Sequence, residues 1–256
     1  MASIDIAGLT GEEIVTERVE VIEPASEEST PHPIKVKGPA VQPRFRYRII
    51  FEKKGPLRFI SHNDLMRTWD RLLRRTALPL RLTEGFHAKL KVSSPLSLAV
   101  GLEATEEIFD FELTSHAPES DVESLVRRES IPGLNIVSVT ELSPLAASRV
   151  TAVEYTCLFQ EGLNESEVSR RIEEILSSSS LMIERRVVGK PLRRIDIRPK
   201  IDSIAAAGNK LHMRLLVDDG STVRPEEVLG ALELGQQVRD GVVVITRTKL
   251  ELGHRK

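Results

Sequence analysis

The stretch RYRIIFEKKGPLRFISHNDLMRTWDRLLRR, residues 46–75, joins a strand pattern directly to a helix pattern. Tyr47, Ile49 and Phe51 alternate with other side chains, which is typical of a half-buried strand with a basic outer side. Ser61 is placed to cap the following helix, and Asp64 stands where it can return the contact. The apolar residues then recur at helical spacing at Leu65, Trp69, Leu72, Leu73 and Thr76. This pattern predicts a strand and a helix that pack together, with arginines on the opposite side of the helix.

The same order of elements continues along the chain. Further strand patterns fall at 80–83, 106–113, 134–142, 149–160 and 241–252, and residues 181–219 supply several more strands. Further helix patterns fall at 120–130, 164–179 and 224–234. Ser120 with Glu123 has the spacing of a capping box, as does Asn164 with Glu167. We therefore expect an α+β protein of two tandem ferredoxin-like sandwiches, each of the order β-α-β-β-α-β, over residues 43–145 and 146–256.

Residues 1–42 differ in composition from the rest of the chain. They combine an acidic excess with Pro- and Ser-rich sequence and contain no aromatic residue. Such a segment buries too little apolar surface to offset the entropy of ordering, so we expect a disordered acidic tail. It can act as a solubilising leader or as an intramolecular mimic of an acidic ligand.

The overall composition restricts the class of protein. The 256 residues carry 36 Lys and Arg against 38 Asp and Glu, with 40% hydrophobic residues, as in ordinary globular domains. Cys157 is the only cysteine, which excludes an intrachain disulfide and a cysteine-ligated iron–sulfur cluster. No apolar run approaches the roughly 20 residues that cross a bilayer, and we expect a cytoplasmic protein without a membrane partner.

Positive charge is concentrated between Arg44 and Lys91. This segment holds thirteen Lys and Arg residues against four Asp and Glu residues, whereas residues 103–129 are acidic. If the two segments pack together, their charges partly cancel. Otherwise one electropositive surface meets a polyanion, for which RNA phosphate is the leading candidate. The residues expected to bind the anion here are Arg58, Arg67, Arg71, Arg74, Arg75, Lys89 and Lys91.

A second basic cluster follows at ERRVVGKPLRRIDIRPK, residues 184–200. Strand alternation in its RRIDIRP portion predicts that Arg194, Asp196 and Arg198 form one charged row. Asp196 is placed to hold the neighbouring arginines for a ligand, although a surface ion-pair ladder has the same pattern.

Two histidines are candidates for chemistry. His62 follows the predicted cap, beside Arg58 and Asp64, and His87 precedes Lys89 and Lys91. Two histidines flanked by cations can cleave RNA without a metal, by general acid–base transfer with phosphate stabilisation. A locally packed His62 is the plainer interpretation. The histidine spacings predict no metal site.

The stretch from Arg46 to Gly101 closely resembles the opening of a bacterial family of unknown function that is described as radical SAM-associated. The likeness extends over roughly residues 44–252 and includes the DIRP element, residues 196–199. The matching positions are Phe59, Ser61, His62, Asp64, Leu65, Arg71, Arg74, Arg75, Pro79, Gly85, Phe86 and His87. Asn63 and Ala88 depart from the pattern, and the second departure weakens a role for His87.

The resemblance implies a companion of a radical SAM enzyme that carries a cobalamin-binding domain. This chain lacks the CxxxCxxC motif, so we expect the iron–sulfur cluster, SAM and cobalamin only on the partner. The leading hypothesis is a non-catalytic RNA-binding or substrate-presenting accessory protein, acting in rRNA or tRNA modification. The alternatives are a metal-independent RNA endonuclease that uses His62 and His87, and a pure protein adaptor for the radical SAM enzyme.

Overall fold

The computed structural model describes residues 44–84, 87–143, 146, 149–186, 189, 191–218 and 220–253. The predicted tail, residues 1–42, lies outside this range, as do Gly85 and Phe86 of the family motif. The strands are β1 (Phe45–Lys53), β2 (Val92–Ser93), β3 (Glu103–Leu113), β4 (Leu134–Leu142), β5 (Arg149–Phe159), β6 (Met182–Arg185), β7 (Arg193–Asp196), β8 (Ile201–Ala207), β9 (Lys210–Leu216) and β10 (Val243–Gly253). The α-helices are α1 (His62–Arg75), α2 (Glu119–Glu129), α3 (Glu165–Ser177), α4 (Pro225–Ala231) and α5 (Gly235–Arg239).

Most strands join one sheet, in the order β4-β1-β3-β10-β5-β9-β8, and β2 pairs with β3. The pairing is antiparallel except where β10 meets β3. β6 and β7 form a separate hairpin. A mostly antiparallel sheet with few helices confirms the predicted α+β class. In the part of the chain that the structure describes, no helix is both long enough and apolar enough to cross a membrane.

Two apolar cores occupy the two ends of the sheet. In the first, the Trp69 ring of α1 stacks on Phe109 at 4.6 Å and meets Phe51 edge-on at 5.0 Å. This confirms Trp69 as a core residue. The second core is built around β5, β9, β10, α3 and α4. β3 serves both, because Phe109 belongs to the first core and Ile108 to the second. Each fully buried large apolar side chain contributes about 1.5–3 kcal/mol.

Several local predictions need correction. α2 begins at Glu119 after Pro118, which makes no side-chain cap, and the Ser120 hydroxyl bonds only its neighbour Asp121. The predicted capping box at Ser120 is therefore wrong, since proline already fixes the entry to the helix and acidic residues occupy its first turn. The predicted strand at 80–83 reduces to isolated bridges at Leu80 and Leu82.

Candidate nucleic-acid interface

The start of α1 is a closed hydrogen-bonded cap. The Asp64 backbone amide donates to the Ser61 hydroxyl at 3.1 Å, and that hydroxyl donates to the Asp64 carboxylate at 2.7 Å. Arg67 also donates to Asp64, at 2.9 Å. The hydrogen bond from Ser61, followed by that from Arg67, lowers the pKa of Asp64. The predicted cap is confirmed, and Asp64 contributes to the local structure of the motif.

His62 is half-buried at the first position of α1. Burial lowers its pKa below the usual 6.5, and the charges of Glu107, Arg247 and Lys53 act on it as well. The imidazole is therefore neutral at pH 7. His87 is exposed, and no hydrogen bond, ion pair or ring contact joins it to His62 within the described residues. The described contacts thus place His62 beside buried charges and do not bring it together with His87.

Carboxylates of the acidic segment neutralise part of the basic segment. Asp110 binds Arg46 at 2.6 Å and Arg48 at 2.8 Å across neighbouring strands. The other cross-segment pairs are Arg58 with Glu103 (3.7 Å), Arg75 with Glu129 (3.0 Å) and Arg81 with Glu112 (3.6 Å). Charge cancellation between the two segments therefore accounts for a substantial part of the local excess of cations.

Three of the remaining cations, Arg67, Arg74 and Lys89, line a groove between α1 and residues 89–92. The α1 groove has a volume of about 450 Å³ and is lined by Met66, Arg67, Asp70, Arg74, Lys89, Leu90 and Val92. Arg71 lies one helical turn from Arg67 and donates to its carbonyl at 3.3 Å. Among the described residues, Arg71, Lys89 and Lys91 have no carboxylate partner. A smaller depression of about 140 Å³, shared by Arg44, Lys91 and Val92, lies next to the groove.

The arginines that line the groove are held only by exposed ion pairs. Arg67 pairs with Asp64 at 2.9 Å, and Arg74 pairs with Asp70 at 2.8 Å, both within α1. Exposed pairs of this kind contribute little because water screens them. The guanidinium groups can therefore exchange a carboxylate for a ligand phosphate at low cost.

The second predicted cluster divides into structural and exposed residues. Asp196 accepts hydrogen bonds from the backbone amides of Leu181 (2.8 Å) and Arg198 (3.0 Å), and the bond from Leu181 is the main cause of its lowered pKa. Arg198 donates to the Leu176 carbonyl at 2.7 Å. β7 ends at Asp196 and a short 3₁₀ helix follows, so the predicted charged row of three is wrong. Of these three residues, Arg194 is the exposed one, and it has no ion-pair partner among the described residues.

A buried charge cluster, formed by Lys53, Glu107 and Arg247, was not foreseen. Arg247 and Glu107 are 1% and 2% exposed and form an ion pair between β10 and β3. Arg247 also donates to the carbonyls of Leu96 and Ser97. Lys53 is 1% exposed, and burial is the main cause of its lowered pKa. The ion pair joins residues 140 positions apart, and strand alternation alone gives no signal for it.

No cluster of three or more His, Cys, Asp or Glu side chains that could hold a metal occurs within the described ranges. The site thus consists of cationic and apolar side chains around the α1 groove, together with the Asp70 carboxylate that pairs with Arg74. Such a surface can bind phosphate by charge and can cover the apolar parts of a ligand.

Comparisons with known proteins give one family match. No curated protein matches the chain. The solved structures that match include a chain from the crystal structure of a Cbf5-Nop10-Gar1 complex, with a TM-score of 0.37 and 11% sequence identity, over 80% of this chain. The match covers 48% of that longer chain, about half of its length. The model of a bacterial family matches residues 46–225. The chain therefore belongs to DUF2344, the family described as uncharacterized protein conserved in bacteria.

Proposed function

We propose that the protein is a non-catalytic RNA-binding accessory protein and that the α1 groove is its RNA contact. The single observation that carries this proposal is an open groove lined by Arg67, Arg74 and Lys89, with Lys91 in the adjoining depression and Arg71 one helical turn from Arg67. In the described part of the chain, Arg71, Lys89 and Lys91 have no carboxylate partner. Phosphate neutralisation supplies most of the affinity of such surfaces and is independent of base sequence. Arg67 and Arg74 add charge once their exposed pairs open.

The interior of the groove supports a nucleic-acid ligand over a simple anion. Met66, Leu90 and Val92 provide apolar contact area between the cations, and Val92 is 38% exposed. Sugars and bases offer apolar surface between phosphates, whereas inorganic phosphate offers none. A groove with cations at its rim and apolar side chains between them therefore fits a nucleotide chain.

We further propose that the chain consists of two ferredoxin-like halves, residues 43–145 and 146–256. In the first half, the spatial order β4-β1-β3-β2 places the fourth, first, third and second strands side by side. In the second half, β10-β5-β9-β8 gives the same order when β5, β8, β9 and β10 are counted as strands one to four. These orders support a duplicated unit.

We also propose that a radical SAM enzyme is the partner, in the cytoplasm, on the strength of the resemblance of residues 44–252 to radical SAM-associated proteins. The catalytic cofactors then belong to that enzyme, and this chain presents the RNA. The adaptor alternative differs in one respect, because the cationic surface would then bind the partner and not RNA.

Ultraviolet crosslinking of the tagged full chain in cells, followed by recovery of RNA, tests the proposal. We expect RNA with the wild type, several-fold less with the variant Arg71→Ala/Lys89→Ala/Lys91→Ala, and the wild-type amount with Arg170→Ala. Arg170 is a matched control, an exposed arginine paired within α3. If the wild-type protein recovers no more RNA than an untagged control does, the proposal is contradicted. A partner enzyme that still co-purifies after nuclease treatment, in the absence of crosslinked RNA, would favour the adaptor.

A further inference from the structure

Phe59 is the one phenylalanine, tyrosine or tryptophan of the described residues that is exposed, at 61%. It ends the short 3₁₀ helix Gly55–Phe59, three residues before α1 begins. The other described aromatic rings pack in or against the two cores. Single exposed apolar side chains are common on protein surfaces, but Phe59 differs from them in its fixed backbone and in the cation over its ring.

Hydrogen bonds from buried groups fix the backbone on both sides of Phe59. The buried Lys53 ammonium donates to the carbonyls of Ile60 (3.3 Å) and Arg58 (3.5 Å). The Arg58 carbonyl also accepts from the Gly101 amide at 2.7 Å. These bonds hold the Arg58–Phe59 and Ile60–Ser61 peptide units, and the Ile60 amide donates to the Leu57 carbonyl at 3.1 Å. The ring is therefore presented by a fixed segment.

The beginning of the same turn is equally constrained. The Lys54 amide donates to the Gly133 carbonyl at 2.9 Å. Gly133 has a φ of +85°, and a Cβ atom there would lie 2.6 Å from the Lys54 carbonyl oxygen. Only glycine permits this approach. The turn that carries Phe59 is thus fixed at both ends before any ligand arrives.

One face of the Phe59 ring carries a cation. The Arg58 guanidinium lies over the ring, 4.7 Å from its centre, and Glu103 holds that guanidinium at 3.7 Å. A ring with a guanidinium on one face and solvent on the other can extend the stack by one planar group.

We propose that Phe59 is a stacking platform for an unpaired base, so that the ligand of this protein is single-stranded nucleic acid. This inference rests on the proposed function and specifies its substrate class. In a duplex both faces of each base are covered by neighbours, and a single exposed ring has no free face to meet. Arg67 of the α1 groove lies about 8 Å along the helix axis from His62, the first residue of α1, and Phe59 precedes His62 by three residues. Contact of one strand with both the ring and the cations is part of this proposal.

The test is a titration of the full chain with fluorescent oligoribonucleotides of about 12 nucleotides, single-stranded or as a duplex of the same length. We expect Phe59→Ala and Phe59→Leu to weaken single-strand binding by between about 5-fold and about 100-fold, since stacking requires the ring. Phe59→Tyr keeps the ring and should bind like the wild type. Val100→Ala, a change at a neighbouring exposed apolar residue, should have no effect.

The outcomes separate this inference from the proposed function. Wild-type binding by both Phe59→Ala and Phe59→Leu would overturn the stacking role and reassign the exposed ring to a protein contact. An equal loss on single strand and duplex would overturn the single-strand assignment while RNA binding stands. If the wild type binds neither oligonucleotide, the proposed function itself fails. A thermal melt of each variant checks folding, which substitution of an exposed side chain should leave unchanged.

Discussion

The buried charge cluster and the α1 groove use the same kinds of side chain under opposite conditions. Arg247 and Glu107 are almost completely removed from water, whereas the side chains of Arg74 and Asp70 are 48% and 40% exposed. A buried charge that loses its partner keeps the full cost of desolvation, whereas an exposed one is solvated again. The charges of the buried cluster therefore stabilise the fold, whereas the charges of the α1 groove are available to bind a ligand.

The largest expected effect follows from breaking the buried pair. Glu107→Gln leaves the Arg247 guanidinium without a counter-charge in the interior, and we expect a loss of about 3–5 kcal/mol in the free energy of unfolding. Urea denaturation measures this directly. Glu174→Gln removes a carboxylate from an exposed pair on α3 and serves as the control. Equal urea midpoints for Glu107→Gln and Glu174→Gln would mean that the buried pair contributes no more to stability than the exposed pair, which would contradict the comparison.

The pH dependence of stability tests whether burial lowers the pKa of Lys53 in the buried charge cluster. Its pKa is lowered from 10.5 by burial, so the unfolded chain takes up a proton at higher pH than the folded chain does. Raising the pH toward 10.5 should therefore stabilise the wild type relative to Lys53→Met, which has no such group. Urea midpoints of both proteins between neutral pH and pH 10.5 give the difference. A constant difference would mean that Lys53 titrates normally in the fold.

A smaller effect is expected at the cap of α1. Ser61→Ala removes the acceptor of the Asp64 amide, and we expect a cost of about 1 kcal/mol. Ser61→Asp should restore most of it, because aspartate is also a good cap. Chemical denaturation of the three proteins measures the effect. A fully stable Ser61→Ala variant would show that packing of Trp69 and its neighbours already fixes the helix start.

The smallest effect concerns the arginines that line the groove. Arg74→Ala removes an exposed pair within α1, and we expect an unchanged melting temperature together with weaker RNA binding. Calorimetry and an oligonucleotide titration on the same sample measure the two quantities. A clear fall in melting temperature would place Arg74 among the structural charges.

Local patterns predicted much of this fold. The alternation of Tyr47, Ile49 and Phe51 and the apolar stripe of α1 are set by neighbours in sequence, and both are confirmed. The cap at Asn164 is confirmed for the same reason. Strands were also predicted within residues 181–219, where β6 and β7 lie. The 3₁₀ helix after Asp196 was missed, because short irregular elements depend on tertiary bonds such as that from the Leu181 amide to Asp196.

The charges were harder to read from sequence. Asp110 counted as one more acidic residue of an acidic segment, yet it is 2% exposed and binds Arg46 and Arg48. Which cations remain without a partner depends on strand register, since Arg48 and Asp110 face each other only because β1 and β3 pair there. Sequence could identify the basic segment and the helix. It could not tell the arginines that bind carboxylates from those that stay available.

The most direct test of the central claim is the salt dependence of RNA affinity for the wild type, Arg71→Ala/Lys89→Ala/Lys91→Ala and Arg170→Ala. If the three cations meet phosphates of a single strand, the slope of log affinity against log salt should become shallower by roughly 2 in the triple variant. Arg170→Ala should keep the wild-type slope. A triple variant with the wild-type slope and affinity would contradict the account, because the unpaired cations of the groove would then contact no phosphate.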